Sequence, residues 1–190
     1  MELSIITPTL QRTSLVECCK SVDQQSHSDW EHIIQIDSGS MDDELIFRLV
    51  HPKRRFYLCG TRHNNFGNSC RHTAWRQASG DYCIYLDDDN FFTRPDALSD
   101  VAACLIAENY PDWAIFPILR FGQRFCCLPP GNCRTDSANI VIKREIAQWP
   151  NGLEYTMDGL FCEQLKAKFA YSSFPHISPI ITVPVQGKGL

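Results

Sequence analysis

The 190-residue sequence has no long apolar run, no excess of basic residues and no cysteines in a CxxC pair. It lacks about 18 consecutive apolar residues and a basic N-terminal segment leading into an apolar one, so we expect neither a membrane-spanning helix nor a signal peptide. The net charge of −4 argues weakly against nucleic acid as the main partner, because binding to phosphate backbones needs a basic face. It does not argue against a nucleotide, since a bound divalent metal can supply positive charge locally.

The ten cysteines would suit a disulfide framework in a short secreted chain, but their positions favour free thiols. Cys83 lies in an apolar, strand-like run and Cys18 in a helical pattern, where a free cysteine behaves as a small buried hydrophobe. The cluster of Cys126, Cys127 and Cys133 has a spacing that matches no zinc template. We therefore expect reduced thiols and a cytoplasmic location.

The length suits one domain, which we take to span residues 1–190. In the first half, short apolar runs alternate with amphipathic segments. This alternation predicts right-handed βαβ units, and so an α/β fold whose mostly parallel central sheet is flanked by helices. The predicted strands are 3–7, 32–36, 56–59 and 82–86. Three helices are predicted in this half: the first is capped by Thr13 or Ser14, and the other two span 42–50 and 69–78.

The second half is less regular and predicts a small antiparallel element. Segments 113–119 and 124–128 can pair as a hairpin around Gly122. The other predicted elements are a helix at 97–108, a strand at 137–143, a helix at 159–168 and an extended tail after Tyr171, which contains three prolines.

The strongest local feature is Asp87-Asp88-Asp89-Asn90, which follows a predicted buried strand. Adjacent carboxylates repel one another, and a divalent cation removes that cost. Oxygen ligands suit Mg²⁺ or Mn²⁺, which proteins hold with one or two carboxylates plus substrate phosphates. The alternative is a solvated acidic turn, or a helix N-cap formed by Asp89 or Asn90.

Two further turns follow predicted strands, at the sheet edge where ligands bind in such folds. Asp37-Ser38-Gly39-Ser40 offers a carboxylate that can accept a hydrogen bond from a base N–H, but the same residues make an ordinary turn. The loop Asn64 to Asn68 leads into a helix whose N-terminus attracts phosphate, with Arg71 one turn inside. Its alternative is a plain loop and cap, with Arg71 on a solvated face.

Taken together and in order, these motifs resemble the family 2 glycosyltransferases of the GT-A fold, a Rossmann-like architecture. The resemblance covers about residues 3–92. The matching segments are Ile5-Ile6-Thr7-Pro8-Thr9 with Arg12, Ile36-Asp37-Ser38-Gly39-Ser40 with Asp42, Asn65-Phe66-Gly67-Asn68-Ser69-Cys70-Arg71, and Ala78-Ser79-Gly80-Asp81-Tyr82 through Asp87-Asp88-Asp89.

The resemblance implies that residues 1 to about 95 bind a nucleotide sugar and that about 96–190 form the acceptor side. Asp37 would bind the base, Asp87 the ribose, and Asp89 the Mn²⁺ or Mg²⁺ that bridges the diphosphate. The implied donor-binding set is Thr7, Pro8, Thr9, Arg12, Asp37, Asn65, Gly67, Arg71, Asp87 and Asp88.

In the second half, the resemblance implies a general base near the start of a helix, and Asp158 is the best match. Asp158 could instead be a helix N-cap, and Glu154 and Glu163 are rival bases. Asp136 is a further candidate for the acceptor side. Some GT-A enzymes use a late histidine as a metal ligand, which makes His176 a candidate, although a lone histidine is more often a surface or core residue.

The expected function is therefore inverting, metal-dependent transfer of a sugar from a nucleotide sugar, with a UDP-sugar favoured, to an unknown saccharide, lipid or protein acceptor. One alternative is a catalytically silent nucleotide-sugar-binding module. Another is a sugar nucleotidyltransferase, a class that opens with a Gly-rich loop where this chain has Pro8-Thr9-Leu10-Gln11.

Overall fold

The computed structural model describes residues 1–126, 128–131, 135–152 and 155–184. Its helices are α1 (Leu15–Asp23), α2 (Asp43–Arg48), α3 (Asn68–Ala74), α4 (Ala97–Ala107) and α5 (Met157–Lys166). Its strands are β1 (Leu3–Thr9), β2 (Trp30–Ile36), β3 (Arg54–Leu58), β4 (Tyr82–Tyr85), β5 (Phe91–Phe92), β6 (Trp113–Ile115), β7 (Ile118–Arg120), β8 (Gln123–Phe125), β9 (Ile140–Lys143), β10 (Tyr171–Ser173) and β11 (Ile181–Val183).

The central sheet has seven strands in the order β10-β6-β9-β4-β1-β2-β3. β1 pairs in parallel with both β2 and β4, and β3 extends the parallel set beyond β2. β9 alone runs antiparallel to its neighbours β4 and β6. The carboxyl ends of β1, β2, β3 and β4 therefore meet at one edge, where a doubly wound sheet binds its ligands.

Helices cover both faces of this sheet because its buried strands alternate their side chains between two apolar layers. Leu3, Ile5 and Ile84 belong to the layer beneath α1 and α4. Ile6 and Tyr85 belong to the opposite layer, beneath α3 and α5. Each fully buried side chain of this size stabilises the fold by about 1.5–3 kcal/mol, so the two layers fix the strand edge on which the site is built.

A second sheet of four short strands, in the order β5-β11-β7-β8, lies beside the first. β5 follows the acidic tract directly, while β7, β8 and β11 come from the second half of the chain. β11 pairs antiparallel with β5 and parallel with β7. This sheet therefore ties the acidic tract to the second half. The expected α/β class, with its mostly parallel central sheet and a smaller element from the second half, is confirmed.

The predicted hairpin and the predicted strand at 137–143 were wrong in their extent. Segment 113–119 divides at Pro117, which has no N–H to give to a strand ladder, so β6 joins the central sheet and only β7 pairs with β8. Residues 137–139 form a 3₁₀ turn capped by Asp136 before β9 begins. The tail is extended where it forms β10 and β11, and these strands pair with β6 and with β5 and β7.

Among the described residues, no helix is both long and apolar enough to cross a membrane. Cys18, Cys19, Cys59, Cys70, Cys83 and Cys104 are free thiols, as predicted from their placement. Of the cluster around Cys126, the residues Cys127 and Cys133 lie outside the described residues.

Candidate active site

A cavity of about 660 Å³ opens at the carboxyl ends of β1, β2 and β4, where the turns after these strands meet the small sheet. Its wall combines apolar and aromatic side chains with both acidic and basic ones. The lining residues are Pro8, Thr9, Leu10, Arg12, Asp37, Arg62, Asn64, Asn65, Phe66, Gly67, Arg71, Asp87, Asp88, Asp89, Asn90, Arg120, Phe121, Asp136, Tyr155, Val183 and Pro184.

The acidic tract forms a tight turn between β4 and β5, closed by a hydrogen bond from the Asn90 N–H to the Asp87 carbonyl at 2.9 Å. The next helix, α4, begins at Ala97 with Asp96 at its N-cap. The alternative that Asp89 or Asn90 caps a helix is therefore wrong. The turn instead presents the carboxylates of Asp87 and Asp89 to the cavity.

Asp88 is held by the loop that follows β1. Its Oδ2 accepts hydrogen bonds from Thr9 Oγ1 at 2.6 Å and from Arg12 Nε at 3.2 Å, and its Oδ1 pairs with Arg12 Nη2. Arg12 also lies 3.3 Å from Asp89 through Nη1. Asp88 is buried, so this carboxylate is neutralised within the protein and fixes the turn on either side of it.

Arg71 reaches the acidic tract from the opposite side. The guanidinium is buried, pairs with Asp87 Oδ1 through Nη2, donates to the Phe66 carbonyl at 2.8 Å and lies over the Trp149 ring. Its location in the first turn of α3 agrees with the sequence prediction, while the prediction of a solvated face is excluded by its burial. Arg71 therefore sets the position of Asp87.

Gly67 allows the loop before α3 to lie against β1. Its φ is +76°, and a Cβ added there would meet Pro8 Cβ at 2.9 Å. Asn65 is buried beside it and donates to Ser69 Oγ at 2.7 Å, which holds the loop onto the start of α3. These contacts place the loop as one wall of the cavity.

Asp37 directly follows β2, is buried and lines the cavity. Its Oδ1 accepts a hydrogen bond from the His63 N–H at 2.9 Å and lies 2.8 Å from the ring nitrogen Nδ1 of the same residue. Because both contacts are made at Oδ1, the second oxygen of the carboxylate can serve a ligand.

Asp136 and Asp158 bring two carboxylates from the second half towards the tract. Burial raises the pKa of Asp136, and the nearby Asp87 raises it further. Burial likewise raises the pKa of Asp158, to about 6. The negative charge of Asp136 raises this pKa further, whereas the hydrogen bond from the Gly159 N–H and the positive charge of Arg71 lower it. Asp158 does not line the cavity, but it lies close enough to interact electrostatically with Asp87, Asp136 and Arg71.

Asp158 lies inside the first turn of α5, whose N-cap is Thr156, so the N-cap alternative is wrong. Its Oδ1 accepts the N–H of Gly159 at 2.8 Å. The rival Glu163 is exposed and pairs with Lys166 at 3.1 Å. The other rival, Glu154, lies outside the described residues.

Besides Asp158, two of the predicted site residues do not line the cavity. The side chain of Thr7 is fully buried in the core, where its hydroxyl lies 2.9 Å from His32 Nε2. His176 lies on an exposed turn, with its ring 6.4 Å from that of Phe174. The structure therefore brings Pro8, Thr9 and Arg12 together with the acidic tract and leaves Thr7 and His176 apart from it.

Sequence reasoning missed several cavity residues. Arg120 lies at the end of β7, with its Nε 3.8 Å from Asp136 Oδ2, and Phe121 follows it. Phe66 and Tyr155 are exposed and meet edge to face with their ring centroids 5.2 Å apart. Phe66 and Phe121 have φ angles of +57° and +52°. Such strain in large residues costs about 1–3 kcal/mol and is concentrated at functional sites, but a sequence pattern does not reveal it.

The carboxylates fit the divalent metal that the sequence predicts. Burial and the neighbouring Asp87 raise the pKa of Asp89, which shows that negative charge is crowded at this point. A hard cation relieves such crowding, and carboxylate oxygens are the ligands that Mg²⁺ and Mn²⁺ prefer. Asp87 and Asp89 both line the cavity and are the candidates in the acidic tract to hold one.

The family model described as Glycosyl transferase family 2 matches residues 4–121, which include the donor-side loops and the acidic tract. The chain belongs to this family. The match ends at Phe121 and therefore includes Arg120, but it does not reach Asp136 or Asp158.

Two curated bacterial glycosyltransferases are similar to about half of the chain. GalNAc(5)-diNAcBac-PP-undecaprenol beta-1,3-glucosyltransferase of Campylobacter jejuni is 30% identical over 92 residues, which are 47% of this chain and 30% of that protein. The uncharacterized glycosyltransferase YwdF of Bacillus subtilis is 29% identical over 94 residues, which are 49% of this chain and 34% of that protein. The matched segment thus spans about a third of each relative.

Solved structures show the same fold over the whole chain. Residues of Staphylococcus aureus TarS in complex with UDP-GlcNAc superpose with a TM-score of 0.76 at 16% identity, covering 100% of this chain and 60% of that one. The mannosyltransferase PcManGT of Pyrobaculum calidifontis, in complex with GDP-Man and Mn²⁺, superposes with a TM-score of 0.75 at 15% identity. The match covers 98% of this chain and 58% of that one. The family 2 domain therefore has the GT-A fold.

Proposed function

We propose that this family 2 domain transfers a sugar, with inversion, from a UDP-sugar to an acceptor hydroxyl. The observation that carries the proposal is that carboxylates from both halves of the chain come together here: Asp87, Asp89 and Asp136 line one cavity, and Asp158 interacts electrostatically with Asp87 and Asp136 from outside its wall. Asp87 and Asp89 come from the first half of the chain, and Asp136 and Asp158 from the second. We further propose that residues 1 to about 95 bind the donor and that the remainder faces the acceptor.

The donor would lie along the carboxyl ends of β1, β2 and β4. Asp37 would accept a hydrogen bond from the base through the oxygen not engaged by His63, and the backbone of Pro8 and Thr9 would flank the ring. Asp87, fixed by Arg71, would accept from the ribose. The structurally similar TarS was solved with UDP and with UDP-GlcNAc, which supports UDP as the nucleotide of the donor. PcManGT was solved with GDP-Man, so the test below also includes a GDP-sugar.

Asp89, together with Asp87, would hold Mn²⁺ or Mg²⁺, which when bound supplies positive charge that stabilises the departing diphosphate. Among the residues that the structure describes, Arg120 has no closer acidic partner than Asp136 at 3.8 Å, and it lines the same cavity. We assign it to the diphosphate, since a guanidinium can form two parallel hydrogen bonds to phosphate oxygens.

Asp158 is the proposed general base. A pKa of about 6 leaves it mostly ionised near neutral pH, yet basic enough to take the proton of an acceptor hydroxyl during attack on the sugar. The Gly159 N–H holds Oδ1, which leaves Oδ2 to receive the proton. Attack from the side opposite the leaving diphosphate inverts the configuration at the sugar carbon.

A donor-binding module without transfer is the second candidate, because Asp158 does not line the cavity. The test is release of UDP or GDP from UDP-GlcNAc, UDP-glucose and GDP-mannose in the presence of Mn²⁺, with water or an added hydroxyl compound as acceptor. Asp158→Asn should abolish release and keep nucleotide binding, whereas the matched control Glu163→Gln should change neither. Binding without release by the wild-type protein would favour the silent module, and release that survives Asp158→Asn would place the base elsewhere.

A further inference from the structure

Behind the base-binding end of the cavity, Asp37, Cys59 and His63 bring three potential metal ligands together. One atom from each, a carboxylate oxygen, a sulfur and a ring nitrogen, lies within 4.8 Å of the other two. Within the described part of the chain, this is the one group of three or more such residues with that spacing. Cys59 and His63 belong to neither the acidic tract nor the set that lines the cavity.

Cys70 adds a fourth potential ligand. Its Sγ lies 3.2 Å from Cys59 Sγ, and it interacts electrostatically with Asp37. The sulfur of Cys59 also accepts a hydrogen bond from Gln35 Nε2 at 3.3 Å, which orients it. These contacts bring two thiols, an imidazole and a carboxylate to one place.

The backbone supports this arrangement from three elements. Asp37 directly follows β2, and Cys59 directly follows β3 with its N–H bonded to the Ile36 carbonyl at 2.9 Å. Cys70 is buried in the first turn of α3. His63 is the exposed member, and it closes the group from the loop between β3 and α3. Because strand ends and a helix hold three of the four side chains, only the loop needs to adjust around an ion.

We propose that Asp37, Cys59, His63 and Cys70 form a binding site for a thiophilic divalent cation, with Zn²⁺ the best match. Structural zinc is four-coordinate and is bound by cysteine sulfur, histidine nitrogen and carboxylate oxygen, whereas Mg²⁺ and Mn²⁺ favour oxygen alone. This site is therefore chemically distinct from the acidic tract. It goes beyond the proposed transfer reaction and does not depend on it.

Zinc at this site would stiffen one end of the donor cavity. Bound through one oxygen, Asp37 would keep the other for a ligand, and the loop from Cys59 to Cys70 would be tied to the end of β2. Ligand groups that orient a site in this way act by restricting the rotamers of their neighbours. Loss of the cation would therefore loosen the loop that carries Asn65 and Gly67.

The test is a titration of the full chain, freed of metal and with its thiols fully reduced, using Co²⁺ as the probe. We expect a sulfur-to-cobalt charge-transfer band and the visible bands of tetrahedral Co²⁺, both saturating at one equivalent and both removed by Zn²⁺. Cys59→Ser should abolish the charge-transfer intensity from this sulfur and weaken Co²⁺ binding by at least about tenfold, and His63→Ala should also weaken binding by at least that factor. The matched control Cys104→Ser changes a half-buried cysteine on α4 and should leave the spectrum unchanged.

A spectrum without the charge-transfer band at one equivalent would overturn the proposal, as would one that Cys59→Ser and His63→Ala leave unaltered. Because His63 is exposed, its replacement tests the site even if a cysteine variant fails to fold. Asp89→Asn should leave the cobalt–sulfur band intact, since the acidic tract offers only oxygen. The result is thus separable from success or failure of the proposed transferase function.

Discussion

Arg12 holds the buried carboxylate of Asp88 with two hydrogen bonds, one from Nε to Oδ2 at 3.2 Å and one from Nη2 to Oδ1. The same guanidinium approaches Asp89 to 3.3 Å through Nη1. The three adjacent carboxylates therefore differ in their environment. Asp88 is neutralised by the protein and anchors the turn, whereas Asp89 retains crowded negative charge facing the cavity.

This difference predicts opposite results from two isosteric changes. Asp89→Asn should remove the Mn²⁺ dependence of UDP binding and leave thermal stability nearly unchanged. Asp88→Asn should lower the free energy of unfolding by about 1–3 kcal/mol, because it weakens the buried hydrogen bonds to Thr9 and Arg12. Denaturant unfolding and calorimetry on both variants check this. Equal loss of stability in the two would contradict the distinct roles.

The ionised Asp158 should destabilise the domain at neutral pH. A neutral residue of the same shape at this position should make the domain more stable. Burial raises its pKa to about 6 from an ordinary value of 3.8, so the folded state binds the proton more tightly than the unfolded chain. The stability from this group is full below about pH 4 and is lost as the pH rises through about 6. Asn imitates the neutral form, so Asp158→Asn should raise the free energy of unfolding by about 1–3 kcal/mol at pH 7.5, at about 1.4 kcal/mol per pKa unit.

Denaturant unfolding of metal-free protein at pH 4 and pH 7.5 measures this effect, and the gain should disappear at pH 4. In the wild-type protein supplied with Mn²⁺, kcat/KM for transfer should fall about tenfold per pH unit below pH 6, because a protonated Asp158 cannot act as a base. A rate independent of pH between 5 and 7.5 would argue against Asp158 as the base.

Gly67→Ala should impair both folding and donor binding. The new Cβ would lie 2.9 Å from Pro8 Cβ, at a φ of +76° that side chains disfavour. Gly122→Ala is the matched control, since Gly122 has a φ of +77° and no heavy atom within 4 Å of the added carbon. In both variants the free energy of unfolding should fall by about 1–2 kcal/mol, because the new side chain must adopt a left-handed backbone conformation. Gly67→Ala alone should lose further stability and weaken UDP binding, because its Cβ also collides with β1. If the two variants showed the same stability and the same UDP affinity, the contact between Gly67 and β1 would be unimportant.

Arg120→Ala should weaken binding of UDP but not of uridine. Its guanidinium lines the cavity near Asp136 and is assigned to the diphosphate, which uridine lacks. Loss of a charge-assisted hydrogen bond of about 1.5–3 kcal/mol corresponds to a roughly 10- to 100-fold weaker affinity for UDP. Arg76→Ala, on an exposed turn beside Trp75, provides the control. Equal losses for UDP and uridine would remove the phosphate role.

The first half of the site could be predicted because its signals are local and repeated. Runs of apolar residues mark buried strands, and parallel strands place the turns at Asp37 and Asp87 on the same edge. The family resemblance supplied the order in which these turns belong together. The side-chain partners of Asp88 could not be read in this way, since Thr9 and Asp88 are far apart in sequence and meet only in the folded chain.

The second half offered weaker signals. Strands β7, β8 and β11 have three residues each, which is too short for a period to show. Tyr155 contacts Phe66 although the two residues are far apart in sequence. Arg120 lines the cavity because the chain divides at Pro117, so that β7 joins the small sheet. His176, chosen for its chemistry, lies on an exposed turn because the tail turns away after Phe174.

Calorimetric titration of the wild-type domain with UDP, in the presence and absence of Mn²⁺, tests the central claim most directly. We predict one UDP bound per chain with Mn²⁺ and at least about tenfold weaker binding without it, since the metal neutralises charge shared by Asp89 and the diphosphate. GDP under the same conditions should bind more weakly. Absence of UDP binding under both conditions would contradict the assignment of this cavity as a nucleotide-sugar site.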